Sequence, residues 1–217
     1  MTSLTLVAHA LTPALRGLVL GGDAEPDPAG VEAARELKID ADEVYAGPET
    51  AALSTASALG LTPVVVPALR DRHYGEWTGR ELEDLLAASP ESVAAWLDRP
   101  HTAPPGGETE NDVITRVADW LGDLTQADSS ESAGSFGEAG RADSRGQDGE
   151  ADAAEPAGSR GQSGRRTVAA VVHPAVVRAA VLYVLDAPAE SLRHVDVRPL
   201  SVVRLSAHTG IWSLTFG

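Results

Sequence analysis

The chain has 217 residues, of which 43% are hydrophobic, and its formal net charge is -15 at pH 7. This acidic balance argues against non-specific binding to nucleic acid or to an anionic membrane, because phosphate-rich partners attract basic surfaces. The lack of cysteine excludes disulfides and thiolate metal sites. The sequence has no run of about 18 apolar residues and no signal-peptide pattern, so we expect a cytoplasmic protein without a membrane span.

Strands and helices alternate along the first half of the chain. The apolar run "LTLVAH" (4–9) predicts a strand, and the spacing of "PAGVEAARELK" predicts a helix. "EVYAG" and "TPVVVPAL" predict two more strands. Between them lies the helical segment "PETAALSTASALG", with Pro48 at its start and Gly60 at its end. Three amphipathic helices follow in "GRELEDLLAAS", "ESVAAWLDR" and "ENDVITRVADWLGDL".

A low-complexity segment interrupts the pattern from about 125 to 166. It consists mostly of Gly, Ser, Ala, Asp, Glu and Arg, with Phe136 as its single aromatic residue. Such a composition buries too little apolar surface to offset the chain entropy lost on folding. We therefore predict a disordered insertion within one domain. A pair of short polar helices is the alternative.

The last part of the chain returns to the alternating pattern. "TVAAVVH" (167–173) is apolar throughout, as in a central parallel strand buried on both faces. "PAVVRAAVLYVL" predicts a helix, and "SVVRLS" and "GIWSLTF" predict two closing strands. The order of elements predicts a single α/β domain with three layers, in which helices cover both faces of a mainly parallel sheet.

Two of the predicted strands end in histidine. His9 closes the first strand and His173 closes the apolar strand after the insertion. Functional groups of parallel sheets gather at the carboxyl ends of the strands. If the two strands are neighbours, both imidazoles face one cavity, where they can act as nucleophile and positioned donor. Two unrelated capping or core histidines are the alternative.

Five segments in order resemble the histidine phosphatase superfamily, which includes the cofactor-dependent phosphoglycerate mutases. They are "AHALT" (8–12), "GPETAALSTASAL" (47–59), "LRDRHYGEWTG" (69–79), "PPGGETENDVITRV" (104–117) and "VVHPAVVRAAV" (171–181). The resemblance implies catalysis through a phosphohistidine. It makes His9 the nucleophile, Asp71 the proton donor and His173 a ligand of the phosphoryl oxygens. It also allows a homodimer, which is common in the family.

The sequence departs from the family where phosphate is bound. Both arginine positions of the family pattern are alanine, at Ala8 and Ala51. Arginine forks bind phosphoryl oxygens through paired, charge-assisted hydrogen bonds. Removing one preorganised donor can slow catalysis about 100- to 1000-fold. We therefore expect weak or specialised activity unless other side chains take over. The candidate substrate-binding residues are Thr12, Arg16, Arg72, His73, Glu108 and Arg178.

Three functions fit these residues. The first is a divergent phosphohydrolase that acts on a small phosphate ester through His9. The second is an enzyme that uses the histidines and Asp71 for acid–base chemistry on a non-phosphorylated substrate, or to hold a metal ion. The third is a catalytically silent binding protein. For the first we expect a small-molecule substrate, no cofactor and no bound metal.

Overall fold

The computed structural model describes residues 1–134 and 165–216, and within these ranges it contains one six-stranded sheet. The strand order is β3-β2-β4-β1-β5-β6. In chain order the strands are β1 (Thr2–Ala8), β2 (Glu43–Ala46), β3 (Val64–Val65), β4 (Arg166–Val172), β5 (Val202–His208) and β6 (Ile211–Thr215). Strands β3, β2, β4 and β1 run parallel, and β5 is antiparallel to both β1 and β6.

Seven α-helices connect and cover these strands in the described parts of the chain. They are α1 (Pro13–Arg16), α2 (Pro28–Glu36), α3 (Thr50–Ala58), α4 (Leu82–Ala88), α5 (Pro90–Asp98), α6 (Glu110–Gly134) and α7 (Pro174–Val184). Short 3-10 helices lie at Pro67–Leu69, Gly75–Trp77 and Ala189–His194. In these same ranges no helix combines the length and the apolar character that crossing a bilayer requires.

Two predicted boundaries differ from the structure. The predicted strand "TPVVVPAL" keeps only two paired residues, because Pro63 and Pro67 have no N–H to give to a ladder and a 3-10 helix begins at Pro67. Helix α6 continues to Gly134, beyond the predicted start of the insertion at 125. Residues 135–164 lie outside the described part of the chain, so disorder stays a prediction for them.

Helices pack on both faces of the sheet, which confirms the predicted α/β architecture. On one face, Val117 and Leu121 of α6 and Val177 of α7 pack against the side chains of β1 and β4. On the other face, Ala52 and Ala56 of α3 pack against the same two strands. Strand β4 is therefore buried on both sides, as its unbroken apolar sequence predicts.

The register of the two central strands brings the histidines together. Ala8 of β1 lies opposite Val172 of β4 in the parallel ladder. The next residue of each strand is a histidine, and the His9 backbone N–H donates to the Val172 carbonyl over 2.9 Å. Both imidazoles therefore lie at the carboxyl edge of the sheet, as predicted.

Candidate active site

The site is built around His9 and His173. Their ring centroids are 5.1 Å apart. Both line a cavity of about 580 Å³ at the carboxyl edge of the sheet. Asp71 reaches the same cavity from the segment after the 3-10 helix Pro67–Leu69. The structure thus brings together the three residues that the sequence proposes as catalytic.

His9 is held as a neutral imidazole. Its side chain is only 3% exposed. Burial, assisted by the neighbouring His173, lowers its pKa to about 4. The Nδ1 atom lies 2.7 Å from the Ala10 carbonyl oxygen, which can only accept, so Nδ1 carries the hydrogen. The lone pair is therefore on Nε2, which is the form a nucleophilic histidine requires.

The backbone beside His9 is fixed by a buried hydroxyl. The Ala10 N–H donates to Thr55 Oγ1 over 2.9 Å, and that hydroxyl donates to the Ala51 carbonyl over 2.7 Å. Thr55 is completely buried on α3. Helix α3 therefore positions the turn whose carbonyl sets the tautomer of His9.

His173 is paired with the carboxyl of Asp71. Its Nδ1 lies 2.7 Å from Asp71 Oδ1, which also accepts the Arg72 backbone N–H over 2.6 Å. The Ala175 N–H lies 3.2 Å from the same Nδ1, at the start of α7. One ring nitrogen cannot donate and accept at once, and the shorter contact with the Asp71 Oδ1, which accepts a hydrogen bond in either protonation state of the carboxyl, places the hydrogen on Nδ1. Nε2 then remains to contact a ligand.

Glu49 is a second carboxyl at the site, and the sequence analysis missed it. Its Oε1 accepts the Asp71 backbone N–H over 2.6 Å, and its Oε2 is buried without a hydrogen-bond partner. Burial raises the pKa of this carboxyl. A Cβ at Gly47 would lie 2.5 Å from Oε2, so glycine there makes room for the carboxyl. An acidic residue at a helix start is common because it interacts favourably with the helix dipole, so Glu49 is not distinctive as a sequence feature.

Four of the six candidate substrate-binding residues line the cavity: Thr12, Arg72, His73 and Arg178. Thr12 also caps α1, because its hydroxyl accepts the Leu15 N–H over 3.1 Å. The Arg178 Nε is buried without a hydrogen-bond partner among the described residues. Of these four, Arg178 is the best placed to offer a cationic donor to a ligand.

The guanidinium of Arg72 is already occupied. It is 3% exposed, forms an ion pair with Glu110 and donates to the Glu108 carbonyl over 2.8 Å. The exposed His73 has its Nδ1 3.1 Å from the Gly106 carbonyl, to which it donates. Both residues therefore help to fix the loop beside Asp71.

Arg16 and Glu108 do not line the cavity. Arg16 is exposed and forms an ion pair with Asp27. Glu108 pairs with Arg70 and Arg116, and its Oε2 accepts the His73 backbone N–H over 2.8 Å. Arg70 itself does line the cavity. The structure thus places Glu108 behind the site as an anchor of the loop that carries Asp71.

Ala8 and Ala51 stand where the resemblance expects arginine, and the arginines that line the cavity among the described residues are Arg70, Arg72 and Arg178. Ala51 lines the cavity, and Ala8 is fully buried at the end of β1. Asp23 and the carboxyls of Asp71 and Glu49 face the same space. The described residues contain no group of three or more histidine or acidic side chains arranged to hold a metal ion.

The other wall of the cavity is apolar. Its side chains come from the segment that follows Thr12 and from the start of α4 and the end of α5. They are Ala14, Leu15, Leu18, Val19, Leu20, Leu82, Trp96 and Leu97. The cavity therefore has a polar end with the two histidines and an apolar end that can receive a hydrocarbon or aromatic group.

Comparison with known proteins agrees with this geometry. The chain is 39% identical over 89 residues to a glucosyl-3-phosphoglycerate phosphatase of Mycolicibacterium vanbaalenii, a match that covers 39% of this chain and 40% of that protein. The matches to curated relatives thus span less than half of the relatives' own length.

Solved structures of similar fold cover nearly the whole chain. The alpha-ribazole phosphatase of Shigella flexneri has a TM-score of 0.72 at 20% identity, covering 98% of this chain and 94% of its own. A mycobacterial glucosyl-3-phosphoglycerate phosphatase has a TM-score of 0.71 at 24% identity, covering 98% and 96%. The family model of the histidine phosphatase superfamily (branch 1) matches residues 7–134. The paired histidines, the fold and this match together show that the chain belongs to the histidine phosphatase superfamily.

Proposed function

We propose that this protein is a phosphohydrolase that removes the phosphoryl group from a small phosphate ester through a phosphohistidine at His9. The observation that carries the proposal is the state of His9, which is buried and neutral, with Nδ1–H bonded to the Ala10 carbonyl. This leaves the Nε2 lone pair as the nucleophile, in a ring that lines the cavity with its centroid 5.1 Å from that of His173.

The proposed reaction has two displacements at phosphorus. In the first, His9 Nε2 forms a bond to phosphorus while the ester P–O bond breaks, and the Asp71 carboxyl gives a proton to the leaving oxygen. In the second, a water molecule gives its proton to Asp71 and attacks the phosphohistidine, which releases phosphate and restores His9. His173, held by Asp71 over 2.7 Å, contacts the phosphoryl oxygens through Nε2.

The charge of the site favours a monoanionic phosphoryl group. Arg70 and Arg72 on the cavity wall are paired with Glu108 and Glu110, and Arg178 shares the cavity with Asp23 and Glu49. Ala8 and Ala51 add no further cation. A phosphate monoester loses its second proton with a pKa of about 6. Because the pKa of His9 is about 4, His9 stays neutral at pH 5, where the monoanion predominates. Activity should therefore be higher near pH 5 than at pH 7.5.

Hydrolysis of an aryl phosphate tests the proposal. The wild type should release phosphate, His9→Ala should abolish the release, and the control His101→Ala, which changes an exposed loop residue outside the cavity, should retain it. Ala51→Arg, which places a guanidinium on the cavity wall, should raise the rate by about 10- to 1000-fold. Absence of phosphate release by both wild type and Ala51→Arg would reject the proposal, as would release that survives His9→Ala.

One observation favours a second candidate, acid–base chemistry on a non-phosphorylated substrate. Glu49, which accepts the Asp71 backbone N–H, and the Asp71 carboxyl place two acidic groups beside the two imidazoles, in a site with alanine at positions 8 and 51. For this function an uncharged ligand should bind more tightly than a phosphonate of equal size. Titration of the imidazole NMR signals with both ligands separates the two candidates.

A further inference from the structure

Leu18 lies in an unfavourable position at the apolar end of the cavity. It is 61% exposed, and its φ of 51° is in the left-handed region, which disfavours leucine. The positive φ ends α1, since the Leu18 and Val19 N–H groups donate to the Leu15 and Ala14 carbonyls, but glycine rather than leucine is usual at such a position. A strained residue on a cavity wall is a reason to look for function there.

The backbone around Leu18 is held in place. The Leu18 carbonyl accepts the Leu82 N–H over 3.1 Å, and the Leu20 N–H donates to the Arg80 carbonyl over 3.0 Å. Val19 forms a β-bridge with Glu81. Residues 18–20 are thus hydrogen-bonded to residues 80–82, and this pairing holds the backbone of Leu18 at the cavity wall.

Leu97 faces the cavity from the end of α5 and is 58% exposed. The adjacent Trp96 packs edge-on against Trp77, with ring centroids 5.6 Å apart, and the Arg72 guanidinium lies 5.3 Å from the Trp96 ring. The residue before the exposed Leu97 is therefore held by an aromatic and a cation–π contact.

From this wall we infer that the substrate is a phosphate ester whose leaving group is apolar, an aromatic or aliphatic alcohol, and that Leu18 and Leu97 select it. The inference rests on the proposed function. The side chains of Leu18, Leu82 and Leu97 offer no hydrogen bond, so a sugar or polyol placed against them would lose water contacts without replacement. A hydrocarbon group there would instead cover leucine surface that is now exposed to water.

A substrate series tests the inference. Benzyl phosphate and hexyl phosphate should have kcat/KM values at least tenfold above those of glycerol 3-phosphate and glucose 6-phosphate. Leu18→Gly and Leu97→Gln should reduce this preference. Leu86→Gln is the control, because Leu86 is an exposed leucine of α4 that does not line the cavity, and it should leave the preference unchanged.

The Leu18→Gly variant also separates selection from structural support. Glycine accepts a φ of 51° without strain, so the variant should be at least as stable as the wild type while it loses apolar preference. A large loss of stability in Leu18→Gly would show that the leucine supports the fold, and would overturn its role in selection.

A binding measurement distinguishes failure of the inference from failure of the proposed function. Benzylphosphonate should bind more tightly than 2-hydroxyethylphosphonate, by tenfold or more, and Leu97→Gln should remove the difference. If His9-dependent hydrolysis occurs without apolar preference, the inference is wrong and the function stands. If benzylphosphonate binds selectively but no ester is hydrolysed, the phosphatase function is wrong and the apolar site remains.

Discussion

Replacement of His9 by glutamine should remove a large part of the acid sensitivity of the fold. The folded protein holds His9 neutral, with a pKa of about 4 against an ordinary value of 6.5. The unfolded chain therefore binds more protons between these two values, and stability must fall as pH decreases from 6.5 to about 4. At pH 4.5 the two pKa values give a loss of about 2–3 kcal/mol relative to neutral pH.

Urea unfolding at pH 7.5 and pH 4.5 measures this loss. His9→Gln should lose about 2–3 kcal/mol less than the wild type between the two pH values, because glutamine does not titrate. The exposed His208 provides the control, and His208→Gln should follow the wild type. Equal losses in wild type and His9→Gln would refute the account of His9. If the variant does not fold, NMR titration of the wild-type imidazoles decides, and a His9 pKa near 6.5 would refute it.

Three further changes probe the supports of the site. Glu49→Gln should raise the melting temperature at pH 7.5 but not at pH 4. Burial raises the pKa of Glu49 above its ordinary value of 4.5, so the charged carboxylate destabilises the folded protein at pH 7.5, whereas at pH 4 the carboxyl is protonated. Equal effects at both pH values would contradict this account. Thr55→Ala should reduce the free energy of unfolding by about 1–3 kcal/mol, since it leaves the buried Ala10 N–H without an acceptor, whereas Thr55→Ser should retain most of the stability. In thermal unfolding Gly47→Ala should destabilise the fold, because its Cβ would lie 2.7 Å from the Leu69 backbone carbonyl oxygen, which cannot swing away as a side chain can. Gly122→Ala, with open space in α6, should not destabilise, and a harmless Gly47→Ala would contradict the packing.

The sequence located His9 and His173 because their position depends on a strong signal. Each ends an apolar strand, and parallel strands bring their carboxyl ends to one edge. Asp71 is separated from both histidines in the chain, and only the family resemblance indicated it. The structure adds what neither signal contains, namely the 2.7 Å contact between Asp71 and His173.

The direction of long side chains was harder to predict. Arg16, Arg72 and Arg178 are alike as sequence features, yet the first pairs with Asp27, the second is occupied by Glu110, and the third alone has a buried Nε without a partner among the described residues. The direction of each arginine side chain depends on whether the fold brings an acidic residue from elsewhere in the chain within reach of the guanidinium. Composition and spacing carry no information about such pairings.

The end of α6 predicted from local composition was also wrong, because the helix runs to Gly134 rather than stopping near 125. Residues 125–134 are polar or small, and they fall within the predicted insertion. The helix continues through them because its earlier turns are anchored by Val113, Val117 and Leu121 in the core. Extending an existing helix costs far less than nucleating a new one.

Trapping the covalent intermediate tests the central claim most directly. Wild-type protein should be mixed with an aryl phosphate carrying labelled phosphorus at pH 5, quenched in alkali and digested. The account predicts an acid-labile, alkali-stable label on the peptide that contains His9, and none in His9→Ala. Phosphate release with no label on His9, or with the label on another residue, would contradict it.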